Sequence, residues 1–187
     1  MRITDRAHAL AVAFGRVAIG VIYLWAGLEK LALGNGKGGS FDASGFLKFA
    51  TNGTLGWPFV SGTPAEGTVF NPTHDVWVSL AGGGLMPIVN FLVVFGECAI
   101  GAALIVGLFT RFAAFTGTLM MVFFFFAAWN FEFGIVNQHL TYAVVTLGLG
   151  VVGAGRYYGL DAMVGSRVGG GFRRWLLSGE QDDGFAA

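Results

Sequence analysis

The sequence predicts an all-α integral membrane protein, a four-helix transmembrane bundle with a long extracytoplasmic loop between its first and second helices. Three observations carry this. Of 187 residues, 55% are hydrophobic and only 12% are charged, whereas a soluble domain carries roughly 25% charged residues. The mean hydropathy of +0.67, with 19 Phe and 5 Trp, means more apolar surface than one core can hide, so lipid must be the solvent for much of it. Apolar stretches of about 20 residues, the length that crosses a bilayer, occur at 9–33, 85–109, 112–131 and 135–155. The formal net charge of +0 supplies no field for a polyanion, so nucleic acid is not an expected partner. Cys98 is the single cysteine, which leaves no internal disulfide, CxxC redox pair, iron–sulfur site or Cys-rich zinc site.

Taken in order, span one (9–33) follows Arg2 and Arg6, as a signal peptide would. Its apolar run is about twice a normal signal core, and no small-residue cleavage motif precedes Glu29-Lys30, so a retained helix is expected. The connection 34–84 opens on Gly34, Gly36, Gly38 and Gly39 and runs through Pro58, Pro64 and Asn71-Pro72, all turn signals. A short interfacial helix is expected from Phe41 to Ala50. Loops of this length are functional or structured, and the aromatic residues Phe41, Phe46, Phe49, Trp57, Phe59, Phe70 and Trp77 suit one that folds back on the bundle mouth. Asn52-Gly53-Thr54 reads either as a glycosylation sequon on the outer side or as a chance tripeptide. Arg111 separates spans two and three, and Arg156, Arg167, Arg173 and Arg174 follow span four. By the positive-inside rule both termini are then cytoplasmic, with residues 1–162 as the membrane domain. In 163–187, Phe172 to Leu177 is basic and apolar, suited to the inner lipid surface, and leads to an acidic tail expected to be partly disordered.

An ionisable side chain at the bilayer centre costs about 3 kcal/mol on insertion scales, so each is a candidate site. Arg16, Gly20, Tyr23, Gly27 and Lys30 repeat at helical spacing and form one stripe that must face protein. Span two carries a matching stripe of Asn90, Val94, Glu97, Gly101, Leu104, Leu108 and Arg111. Glycines on both stripes permit close approach, and an Arg16–Glu97 ion pair is expected, as a register device or as part of the chemistry. A second cluster gathers at the outer mouth: Glu29, Lys30, Asn130, Glu132, Asn137, Gln138 and His139, beside Trp25 and Trp129. It suits a quinone head or a small anion; equally, such residues mark the interface of most membrane proteins. His139 is either a proton carrier between pH 5 and 8 or a satisfied core residue. Two-histidine haem is disfavoured because His8 is cytoplasmic and His74 lies in the outer loop, and zinc through His74, His139 and Glu132 is a weak alternative. Cys98 reads as inert packing, and Phe123 to Phe126 as lipid-facing or core bulk.

The run Gly15-Arg16 to Gly27-Leu28-Glu29-Lys30-Leu31, then Glu97, Gly101, Leu104, Gly107 and Thr110-Arg111, resembles the DoxX family of small four-helix membrane proteins. Asn137-Gln138-His139-Leu140 and Gly155-Arg156-Tyr157-Tyr158-Gly159-Leu160-Asp161 are more similar to its DoxD branch, the large subunit of thiosulfate:quinone oxidoreductase. The resemblance covers about residues 12 to 162 and implies a prokaryotic inner-membrane subunit that passes electrons from thiosulfate or a related sulfur compound to quinone. It also implies a small partner subunit or a larger complex. Haem, flavin and metal are not expected in this chain. On that reading His139, Glu132 or Glu97 handles the quinone proton. Arg16 or Lys30 holds an anionic reductant or semiquinone, and Trp25, Glu29, Trp129 and Gln138 complete the binding site. The alternative is a non-catalytic scaffold or accessory subunit of a respiratory or oxidant-defence complex.

Overall fold

The computed structural model describes residues 3–34, 40–51, 71, 73–128 and 137–165, and every regular element among them is helical. In chain order these are α1 (Ile3–Leu33), α2 (Ser44–Thr51), α3 (His74–Gly82), α4 (Met86–Val106), α5 (Thr110–Ala127), α6 (Gln138–Val152), a 3-10 turn (Ala154–Arg156) and α7 (Leu160–Gly165). Helices α1, α4 and α5 are long and apolar enough to cross a membrane. Their outward residues are large and apolar, with Phe14 75%, Trp25 70% and Phe91 62% exposed. Surfaces of that kind need lipid as solvent, so the chain is a membrane protein.

The fourth apolar stretch is shorter in the structure than the sequence suggests. Helix α6 has 15 residues, a rise of about 22 Å against a hydrocarbon core of about 30 Å. It stops where Gly153 turns left-handed at φ 66° and its N–H is donated back to the Gly150 carbonyl, a common glycine helix end.

Helix α1 packs chiefly on α4, and α5 on α6, with α4 also against α5. Lipid offers no hydrophobic drive for helices to associate, so close contact depends on small residues. A Cβ on Gly27 would lie 2.6 Å from Cys98 Sγ, and one on Gly101 would overlap the Leu24 backbone. These two contacts fix the antiparallel register of α1 and α4. Between the two helix pairs Ile19, Tyr23, Ile100, Leu104, Ala113, Met121 and Ala143 form the buried core.

One end of the bundle is tied by charge. Arg16, 2% exposed, donates to the Leu104 carbonyl, to the Ile105 carbonyl at 3.1 Å and to the Tyr158 carbonyl at 3.4 Å. Leu104 and Ile105 sit in the last turn of α4, whose carbonyls lack intrahelical donors and carry the negative end of the helix dipole. Asp161, fully buried, accepts from Phe109 N at 2.8 Å and Thr110 N at 3.0 Å. It thereby satisfies donors at the positive start of α5. Its own N–H is donated to the Gly107 carbonyl at 2.8 Å. The α4–α5 turn needs this support, because Phe109 holds a left-handed φ of 53°, costly for a residue with a side chain. The Gly155-to-Asp161 run is therefore a clasp for that turn.

The connection is partly ordered. The expected short helix is present as α2, and α3 is an addition to the reading of 34–84 as loop after it. Ala43, Leu47, Trp77, Ala81, Met86 and Ala127 form a second buried cluster. Asn71 Nδ2 donates to the carbonyls of Phe126 at 2.9 Å and Ala127 at 3.1 Å, closing the last turn of α5. The Asn52-Gly53-Thr54 tripeptide and the tail from 166 onward lie outside the described residues.

Candidate functional site

The two stripes do face each other; the first is buried from Arg16 to Gly27, whereas in the second Glu97, Gly101 and Leu104 are buried and the other four residues are half-buried. The charge pairing across them differs from expectation. Glu97, 2% exposed, pairs with Lys30 and not with Arg16. Gly27 lies level with Glu97 and Cys98, so Arg16, eleven residues earlier, is about 16 Å down the helix axis. Lys30 is one turn beyond Gly27, on the same face and within reach. Its Nζ donates to Glu97 Oε1 at 2.9 Å, to Oε2 at 2.8 Å and to the Ala26 carbonyl at 3.3 Å. Those bonds use all three ammonium protons. The Phe41 ring centroid lies 5.9 Å from Nζ, a cation–π distance.

This pair forms one wall of a cavity of about 350 Å³. Helix α1 contributes Ile22, Tyr23, Ala26 and Lys30, and α4 contributes Val93 and Glu97. Met121 and Phe124 come from α5, Gln138, His139 and Tyr142 from α6, and Phe41, Ala43 and Phe46 from the connection. The Tyr23 hydroxyl donates to the Gly117 carbonyl at 2.9 Å, which anchors the cavity floor to α5. Asn137 caps α6, its side chain accepting from Leu140 N at 3.0 Å, and so fixes the first turn that carries Gln138 and His139. The His139 ring stands edge-on to Phe124 at 5.8 Å and 85°, and lies 6.5 Å from Phe46. The result is a pocket with flat aromatic walls, a neutralised ion pair, one imidazole and one amide.

Of the residues singled out from sequence, His139, Glu97, Lys30 and Gln138 come together at this cavity. Trp25 is 70% exposed and Glu29 is also exposed; neither lines it. Arg16 belongs to the clasp at the other end of the bundle. Trp129 and Glu132 lie outside the described residues. Phe124, read from sequence as bulk, is part of the wall, and Met121 three residues earlier shares its face. Tyr23 could have been added from the stripe it sits on. Among the described residues no three of His, Cys, Asp and Glu gather as a metal site would require. Comparison of the chain with family models, curated proteins and solved structures gives no match.

Proposed function

We propose that the cavity binds the head of a quinone, and that the chain is the membrane subunit of a quinone-linked oxidoreductase, the activity implied by its resemblance to DoxX and DoxD. In this reading α6 completes a four-helix bundle in a prokaryotic inner membrane, with both termini cytoplasmic and the 34–84 connection outside. Its outward residues support a lipid-facing role, with Val144 63% and Val151 72% exposed. The observation that carries the functional reading is the meeting of Gln138, His139 and the Lys30–Glu97 pair in a pocket otherwise walled by apolar and aromatic side chains. Ligand sites are built in this way, with few polar groups placed to orient a ring. A quinone supplies a two-electron acceptor that takes up two protons on reduction, so a protonatable side chain beside its oxygen is required. His139 is that group. Gln138 orients the head, and Glu97, deeper in the bundle, is the second protonatable group. Thiosulfate or a related sulfur compound, delivered through a partner subunit, is the electron source the resemblance implies.

The test is quinone reduction by the complex purified from native membrane. His139→Phe keeps the ring and its packing on Phe124 and removes only the proton chemistry. Quinone reduction is expected to be lost with assembly intact. Wild-type turnover in an assembled variant moves the role to Glu97. The scaffold reading is favoured by the closed Lys30–Glu97 pair, whose polar atoms already satisfy one another; failure of the variant to assemble, with no quinone co-purifying from wild type, would support it.

A further inference from the structure

The cavity carries information about the route and charge of its ligand, resting on the reading that it holds a quinone-like ring. Lys30 is the cation at the cavity, and its three protons are spent on Glu97 and the Ala26 carbonyl. The pair is neutral as a unit, so an incoming anion would have to displace a bidentate carboxylate to find a positive partner. A neutral ring needs no such exchange.

Size gives a second constraint. At about 350 Å³ the cavity is at the low end of ligand pockets, roughly 300–1,000 Å³. It takes a substituted ring but not a long apolar tail as well, and the tail must leave through an opening. Among neighbouring long helices α1 and α6 are the least tightly joined. They touch toward the Arg16 end, where Leu149 Cδ2 would lie 3.8 Å from a Cβ on Gly15. Toward the Lys30 end Ile22 and Gln138 both line the cavity, and both are exposed on its outer side, Ile22 by 40%. Ile22 lies within the apolar part of α1, flanked on the outer surface by Val21 and Trp25, 50% and 70% exposed. The Ile22 side of the opening therefore lies on the apolar outward surface of α1.

We infer that the cavity is entered laterally from the bilayer, through the seam between α1 and α6 at Ile22, by a neutral ring carrying an apolar tail, and that anionic substrates do not occupy it. The ring lies against Phe124 and His139, and the tail passes Ile22 and Trp25 into lipid.

The experiment follows association of a decyl-tailed benzoquinone with the full chain in lipid nanodiscs. Wild type is expected to bind it, and millimolar thiosulfate is expected not to compete. Ile22→Trp fills the seam and should slow association by about tenfold or more. Val151→Trp, on the outward face of α6 and away from the cavity, should leave it unchanged. Ile22→Ala widens the seam and should speed association, which keeps the test open if the Trp variant does not fold. Unaltered association in both Ile22 variants with normal wild-type binding overturns lateral entry and leaves the quinone reading standing. Competition by thiosulfate overturns the claim of a neutral ligand. Absence of binding to wild type removes the quinone reading itself, and the inference with it.

Discussion

Lys30 and Glu97 do not share their burial equally. The lysine side chain is 26% exposed and the carboxylate 2%, so loss of either partner has a different cost. Lys30→Met leaves a carboxylate sealed in an apolar interior, a change worth about 3–5 kcal/mol, read as a lower unfolding temperature in detergent. Glu97→Gln costs less, because the lysine can extend its stem and carry its charge to water. The double variant should be milder than the sum of the two. By contrast, Arg16→Met combined with Glu97→Gln should be additive within about 0.5 kcal/mol, as expected of distant sites. The helical spacing of Arg16, Tyr23 and Lys30 made their shared face legible from the sequence alone. Which of the two cations meets Glu97 was not legible, because it depends on how far α1 slides along α4. The same spacing rule explains the misplacement of Trp25. It is two residues from Tyr23, so it points about 200° away and out to lipid.

Among the elements, the glycines divide into those that packing requires and those it does not. A Cβ on Gly101 runs into the Leu24 backbone, while one on Gly148 meets nothing within 4 Å. Gly101→Ala should therefore destabilise by about 1–3 kcal/mol, the usual penalty for overpacking, and Gly148→Ala should be neutral or stabilising by up to about 1 kcal/mol from helix propensity. Thermal unfolding of the two variants side by side checks both. Asp161 gives a second prediction at this scale. Charge-assisted hydrogen bonds are worth about 1.5–3 kcal/mol each, and Asp161 accepts two from the start of α5. Asp161→Ala should cost about 3–6 kcal/mol, with Asp161→Asn recovering part of it. The long helices were legible because each holds an unbroken apolar run. Helix α3 was not, since Pro72 and the triplet Gly82-Gly83-Gly84 around it read as loop punctuation. Its stability comes from burying Trp77 and Ala81 against Met86 and Ala127, contacts that a one-dimensional pattern does not contain.

At the scale of the whole molecule, the arginines in the short loops set the expected orientation. Reporter fusions after Ala187 and within Gly36–Gly39 should report opposite compartments, the first cytoplasmic; a shared compartment would overturn the four-span topology. The asymmetry between the two ends of the bundle has a mechanical side. At the Arg16 end, α1, the last turn of α4, the first turn of α5 and the segment Tyr158–Asp161 are held together by hydrogen bonds to buried charges. At the Lys30 end the ion pair joins α1 to α4, and the Tyr23 hydroxyl donates to the Gly117 carbonyl and so joins α1 to α5. The molecule is built like a spring clothes-peg, with its fulcrum at the clasp and its jaws at the cavity. Lever geometry then gives α6 more freedom at its Gln138 end than at its Leu149 end, an expected gradient that amide hydrogen exchange along α6 would read.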